Sequence, residues 1–509
     1  MPRIQRPARI AADIVAAWSA RFVKRGFFGV ALIALGGVSA AYLPRSTPIW
    51  HWLDHLGMTG TPFRVLGTLI TMTGLLLLVD AWLRLRPGSR ASSSQPYRHI
   101  KHWAVLLIWS APFLFAPPIF SHDAYSYAAQ GWQLVNGISP YDAGPAVLPG
   151  PFADQVAWVW RNTTAPYGPL SLRIQHLLVL ISGGQPYIAA MLQRIPALAG
   201  VALISFFTPR VSRQVRANPA FAAWFVVLNP LLVIDFVGGA HNDSLMMGLV
   251  VFAVWLAGLR ADEVPRLGRV LGDNMWLIGA VVIGVSAAIK QPAFLAVYAL
   301  PLISKRWTSW HPKHVAAITC RALASLGVAI GVFALVSLAT GLNFGWLGSV
   351  NVPGRVITVA PFTLAGQVVQ FFLNMFDVDP TGRAAVRYAR SIGIVVAGVI
   401  VAWLALTVAR RKPRAFVAWA YLAVAICAPA LRSWYILWGW IALPWAKPSP
   451  RTVKLACWFT LVLLCYDGIN MAWRNDSTAL GVALIGVIWL IAKGHLLKNR
   501  ISSEDGSAA

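Results

Sequence analysis

The sequence predicts an all-α polytopic membrane protein, folded as a single integral membrane domain over residues 1–509. Three observations carry this expectation. Hydrophobic residues fill 58% of the 509 positions while charged residues fill only 12%, about half the charged share of a soluble domain. Mean hydropathy is +0.63. The 43 Lys+Arg against 17 Asp+Glu, a net charge of +26, sit in short clusters between apolar runs. That placement points to membrane topology and anionic headgroups, not to nucleic acid, as the reason for the charge. The 24 Trp fall largely near the ends of apolar runs, where an aromatic belt is expected.

Taken in chain order, residues 1–25 carry Arg3, Arg6, Arg9, Arg21, Lys24 and Arg25 and read as a cytoplasmic N-terminal segment. The apolar run that follows is too long for a signal-peptide core and reads as an uncleaved first span. Further basic clusters occupy residues 84–101, 210–216, 260–269, 305–313, 410–414, 447–454 and 493–500. If all of them face the cytoplasm, spans must come in pairs between them. They do, at roughly 26–43 with 63–83, 103–120 with 187–208, 219–237 with 242–260, and 274–289 with 292–304. The series closes at roughly 315–340 with 386–409, 415–430 with 432–446, and 453–469 with 477–493. The expectation is about fourteen crossings of the plasma membrane, with both termini, including the tail 495–509, cytoplasmic. Two short apolar segments, 169–183 and 362–376, remain as interfacial or re-entrant helices on the outer side. Such backbone needs shelter by protein or a watery cavity. The four cysteines, Cys320, Cys427, Cys457 and Cys465, lie in or beside apolar stretches and form no CxxC pair, so no disulfide framework is expected.

The largest hydrophilic loop, 121–168, is the expected periplasmic catalytic region. It holds Asp123, Asp142 and Asp154, four tyrosines and many Gly and Pro. Asp123 stands directly after a span and before a helix-compatible run. It can cap that helix, or it can act as general base toward a sugar hydroxyl. Tyr125, Tyr127, Tyr141 and Tyr167 offer flat faces with polar edges for sugar rings, alongside the polar His122 and Gln130. Other outer span ends supply the turn Gly238-Gly239-Ala240-His241-Asn242-Asp243, the cations Arg194, Lys290 and Arg432, and Tyr435. Charges at membrane depth are costly and need a role or a partner, and several near one cavity suit a phosphate. Snorkelling to headgroups is the alternative for each cation taken alone. No phosphate loop, dinucleotide fingerprint, nucleophile elbow or zinc-protease motif occurs. A transferase of this kind must therefore draw an activated donor from the lipid phase.

The blocks HDAYSYAAQG, NGISPYDAGP and TTAPYGPL in the outer loop, with GGAHNDSLMMG, KQPAFLAVYALP and RSWYILWGW further on, carry a resemblance. Over roughly residues 100–445 the chain resembles the actinobacterial polyprenol-phosphomannose-dependent α-(1→6)-mannopyranosyltransferases, membrane glycosyltransferases of the GT-C fold. The outer-loop blocks are its most specific part. The resemblance implies a polyprenyl-phosphate mannose donor and a mannan glycolipid acceptor of the lipomannan and lipoarabinomannan core. It also implies an inverting transfer on the periplasmic face. Asp123 would be the catalytic base. Lys290, Arg194 and Arg432 would hold the donor phosphate. His241, Asn242 and Asp243 would line the acceptor side, while Gln130, Tyr141 and Tyr167 would position sugars. The neighbour of Asp123 is His122 and not a second acid, so no metal ion and no cofactor are expected. A GT-C enzyme using another lipid-linked sugar, such as arabinofuranose or glucose, is the alternative. A lipid or solute transporter is less in keeping with the chain, because no paired, repeated broken helices are seen.

Overall fold

The structure, a computed structural model, describes residues 5–88, 100–263, 268–349, 358–379 and 382–475. Those residues are helical or irregular, with no strand among them. Five helices are long and apolar enough to cross a membrane: Thr61–Arg84, Pro186–Gln214, Pro312–Ala339, Ala384–Arg411 and Pro450–Ala472. Each coincides with an expected span. The chain is thus a multi-pass membrane protein.

Several expected spans are built differently. Arg21–Gly37 is a single helix of 17 residues that ends before the expected limit. The span expected at 103–120 is a short helix, His102–Ser110, followed by a 3-10 turn, Ala111–Leu114. Pro112 and then Pro117-Pro118 account for the early end, since proline cannot donate to a continuing helix. The span expected at 219–237 is bent by 55° between 219–227 and 232–238, and both halves contain π-helical turns. Pro230 lies at the break, and Asn229 Oδ1 accepts the Leu231 N–H. The segments 243–257, 275–287, 291–304 and 413–427 are apolar but short. The expected crossing at 477–493 lies outside the described residues, as does most of the basic cluster 84–101. The two left-over segments form the helices Pro169–Ile181 and Pro361–Met375.

The core is one large apolar cluster that joins most of these elements. Two tryptophans lock its N-terminal part. Trp82 and Trp224 stack at 5.0 Å, and each indole N–H donates to the other's backbone carbonyl, at 3.0 and 2.6 Å. Arg194–Gln214 and Asp243–Ala257 meet through glycine. A Cβ at Gly200 would lie 2.2 Å from the Ser244 backbone, so only glycine permits this approach, as at other small-residue helix crossings. In contrast, Pro312–Ala339 and Ala384–Arg411 bury only 22% of their apolar windows in protein. Their exposed Leu, Ile and Val side chains form the face offered to lipid.

Charge sorts the two ends of the bundle. Gln214–Arg216, Arg260, Arg306, Arg411–Arg414 and Lys447 converge around one cavity. Five separate basic connections therefore lie at one end, as the charge rule requires of loops on a common side. Asp123, Lys290 and Arg432 converge around a cavity at the other end.

Candidate active site

The helix Asp123–Val135 begins with Asp123 in its first turn. Three residues before it, Phe120 has φ +61°, an outlier for a bulky side chain. That strained turn reverses the chain out of the bundle and aims the next residues inward. Ser121 Oγ accepts the Asp123 N–H at 3.1 Å, and His122 makes no side-chain cap bond. Asp123 is therefore not consumed as a cap. Its carboxylate faces His241, with Oδ2 3.5 Å from Nδ1, and its side chain is 18% exposed.

His241 comes from the polar turn at the other side of the site. Ala240 adopts φ +56°, and a Cβ at Gly239 would sit 2.7 Å from the Asp235 carbonyl. Glycine at 239 and the left-handed alanine let the turn fold back tightly. The His241 ring is fully buried and stacks on Trp434 at 3.7 Å. The two strained turns are tied together. The Ile119 N–H donates to the Gly238 carbonyl at 3.3 Å. Arg194 donates to the carbonyls of Val237, Ala116 and Gly238 at 2.8, 3.0 and 3.1 Å. Burial pushes the Asp123 carboxyl up, but the neighbouring His241 ring, then the charges of Arg432 and Lys290, hold it below the ordinary value. The first-turn position adds the favourable field of the helix N-terminus.

Lys290 follows the helix Met275–Ala287 in extended backbone, φ −156°, before the 3-10 segment Gln291–Ala296. Its Nζ donates to both Asp243 oxygens, at 2.8 and 2.9 Å. The Trp438 indole also donates to Asp243, at 2.8 Å. The ammonium lies over the rings of Tyr435, Trp438 and Tyr167, at 4.7, 5.4 and 5.8 Å. Aromatic faces favour a desolvated cation.

Two cavities meet at this place. One, of about 550 Å³, is lined by Lys290, Gln130, Tyr167, Tyr435 and apolar residues that include Val424 and Ile394. Ile394 belongs to the lipid-facing helix Ala384–Arg411. The other, of about 980 Å³, is more polar and includes His122, Arg45, Asp154, Arg383 and Asp467. Asp123, Trp160, Arg432 and Trp434 belong to both linings. Among the described residues, no carboxylate pairs with Arg432. No three His, Cys, Asp or Glu side chains among the described residues gather closely enough to hold a metal ion.

Residues 23–308 match the family described as alpha-(1→6)-mannopyranosyltransferase, N-terminal domain. Residues 362–492 match the MptB C-terminal domain. The chain is 31% identical to the alpha-(1→6)-mannopyranosyltransferase A of Mycobacterium tuberculosis, over 90% of this chain and 87% of that one. The chain belongs to the alpha-(1→6)-mannopyranosyltransferase family. It is 28% identical to the A protein of Corynebacterium glutamicum, over 86% of this chain and 91% of that one. To the B protein of the same organism it is 26% identical, over 83% and 72%. As a member of this family of actinobacterial enzymes, it is a glycosyltransferase.

Within this glycosyltransferase, the structure brings together Asp123, Lys290, Arg432, Gln130, Tyr167 and Tyr435 at one cavity, with His122 in the adjoining one. It does not bring Arg194 there. That guanidinium is spent on three backbone carbonyls, so its expected contact with donor phosphate is corrected to a clamp on the two strained turns. Nor do His241, Asn242 and Asp243 line either large cavity. His241 backs Asp123, and Asp243 is the counterion of Lys290. Asn242 accepts from Tyr127 at 3.4 Å and donates to Ser171 at 3.1 Å. Tyr125 is buried in a small apolar cluster, and Tyr141 donates to the Tyr167 carbonyl at 2.8 Å, so these two and Tyr127 support the site from behind. Trp160, Trp434 and Trp438 were not singled out as site residues from sequence. The i, i+4 spacing of Trp434 and Trp438 on one helix face was the available signal.

Lys290→Met should destabilise the protein by about 3–5 kcal/mol, because it strands a buried carboxylate. The double change Lys290→Met, Asp243→Asn should recover most of that loss. Thermal unfolding in detergent measures both, and equal melting of the single and double variants would contradict the pairing. The pH dependence follows from the depressed Asp123 carboxyl. A base whose folded value lies below the ordinary one stays ionised until the pH falls through that lower value. Its contribution to stability is likewise complete above the ordinary carboxylate range and is lost only below it. The acid limb of kcat/KM due to this group should therefore lie below about pH 4. An acid limb near pH 6 that Asp123→Glu displaces would contradict this.

Proposed function

We propose that this chain transfers mannose, with inversion, from polyprenyl-phosphate mannose to a hydroxyl of an α-(1→6)-mannan glycolipid on the periplasmic side of the membrane. Asp123 takes the proton of the acceptor hydroxyl as its oxygen bonds to the anomeric carbon. The bond from that carbon to the phosphate oxygen breaks on the opposite face, and its electron pair leaves with the polyprenyl phosphate. One base suffices for a single inverting displacement. Arg432 meets the charge developing on the phosphate, as a fixed guanidinium does for oxyanions. The Lys290–Asp243 pair holds the aromatic wall beside it. The proton on Asp123 passes to water through the polar cavity.

The observation that carries this reading is the shared wall of the two cavities. A carboxylate and an arginine that pairs with no carboxylate among the described residues stand where a lipid-side, largely apolar chamber adjoins a polar one. The first suits a sugar phosphate with an isoprenoid tail, and the second suits a glycan. Mannose as the sugar, and the α-(1→6) linkage, rest on the names of the relatives, all of which are alpha-(1→6)-mannopyranosyltransferases.

The test is transfer in membranes, using labelled polyprenyl-phosphate mannose or polyprenyl-phosphate arabinose with a short α-(1→6)-mannoside, and linkage analysis of the product. Mannose should be transferred in α-(1→6) linkage and arabinose should not. Asp123→Asn should lower turnover about 10²–10⁴-fold, and Arg432→Met should lower it about 10²–10³-fold. Near-normal turnover of Asp123→Asn would refute the assignment of the base. Transfer of arabinose in place of mannose would refute the sugar.

A further inference from the structure

At the end of the bundle opposite Asp123 lies a second built cavity, of about 650 Å³, which the transfer reaction does not use. Its wall is strongly basic: Arg216, Arg260, Arg306, Arg411, Arg414 and Lys447 all contribute, and no acidic residue does. Loops on the basic side of a membrane protein ordinarily place such charges apart and in water. Here five connections bring them around one hollow, where they repel one another. Arg260 is relieved by Asp262, 3.2 Å away at the exposed rim. Among the described residues, no carboxylate pairs with Arg216, Arg306, Arg411, Arg414 or Lys447.

Arg414 shows that the hollow is constructed and not merely left over. Its Nη2 donates to Gln214 Oε1 at 2.8 Å, and its Nε is buried without a partner. A Cβ at Gly258 would fall on the Arg414 guanidinium, so glycine there makes room for it. Arg216 and Lys447 both hold φ +54°, a conformation that non-glycine residues rarely adopt without compensation. An unsatisfied buried N–H among like charges is costly unless an anion with several oxygens fills the space. Arginine forks match phosphate oxygens in pairs. One wall carries Leu302, Ile303 and Trp445, which suits apolar atoms attached to the phosphate.

We propose that this cavity binds a phosphate group, held by Arg414 and Arg306, with any carbon groups it carries against Leu302 and Trp445. The cavity is lined by Gln214 and Arg411, which end the spans Pro186–Gln214 and Ala384–Arg411, and anionic headgroups gather where spans end. The same chemistry can be supplied by a lipid headgroup or by a free phosphate, and the two are separable. The full chain, purified in neutral detergent, is titrated with short-chain phosphatidylglycerol, phosphatidylcholine and inorganic phosphate, and binding is read by native mass spectrometry. Phosphatidylglycerol should bind more tightly than phosphatidylcholine if the ligand is an anionic lipid. Inorganic phosphate should bind and compete if the free ion is the ligand.

Arg414→Gln should weaken the bound probe about tenfold. Arg306→Gln should do the same, and because Arg306 is exposed, it keeps the test open if Arg414→Gln does not fold. Arg387→Gln, an exposed cation near the catalytic end, should change nothing. Binding unaffected by Arg306→Gln, equal loss in Arg387→Gln, or no binding of either anionic probe overturns the proposal.

Discussion

Asp243 is wholly buried, and its charge is tolerable only because Lys290 and Trp438 both donate to it. An isolated carboxylate in such surroundings would cost several kcal/mol. This one interaction fixes three elements that are far apart in sequence. Asp243 opens the helix Asp243–Ala257, Lys290 marks the break after Met275–Ala287, and Trp438 lies on Ser433–Trp440. Two residues before Asp243, His241 is delivered to Asp123 and sandwiched on Trp434 from that same third helix. The Asp123 carboxylate thus takes its surroundings from the Lys290–Asp243 ion pair.

A second polar clamp holds the strained backbone around the site. Phe120 and Ala240 hold left-handed conformations on either side of the site, and Arg194 ties the carbonyls of both turns. Such positions persist only where the surroundings over-determine them. The result is a rigid rim around Asp123, with a polar cavity on one side and a lipid-side cavity on the other. Arg432 completes the wall between them. Positioning of this kind contributes to catalysis by removing the need to orient groups during the reaction.

Much of this was legible in the sequence. The five long spans follow from apolar length alone, and Asp123 follows from the scarcity of acids and its place after a span. Lys290, Arg432, Gln130, Tyr167 and Tyr435 were expected in the site and lie at its cavity. For Arg194, depth in a span reveals that a cation needs a partner, not that the partner is a set of carbonyls 43 and 78 residues away. Asp243 was misread for a related reason, since nothing local couples it to a lysine 47 positions on. The spans near 103–120 and 219–237 were drawn too regular. Apolar length does not register the prolines and π-turns that bend them.

The central claim is that Asp123 meets the acceptor hydroxyl while Arg432 meets the donor phosphate across one wall. An experimental structure of the protein with a non-transferable polyprenyl-phosphate mannose analogue and a short mannoside tests it most directly. The account predicts the acceptor hydroxyl within hydrogen-bond reach of the Asp123 carboxylate, about 2.6–3.2 Å, with the phosphate on Arg432 and the isoprenoid leaving past Ile394. An acceptor hydroxyl seated on Asp154 or Asp467, with Asp123 touching neither sugar, would contradict it.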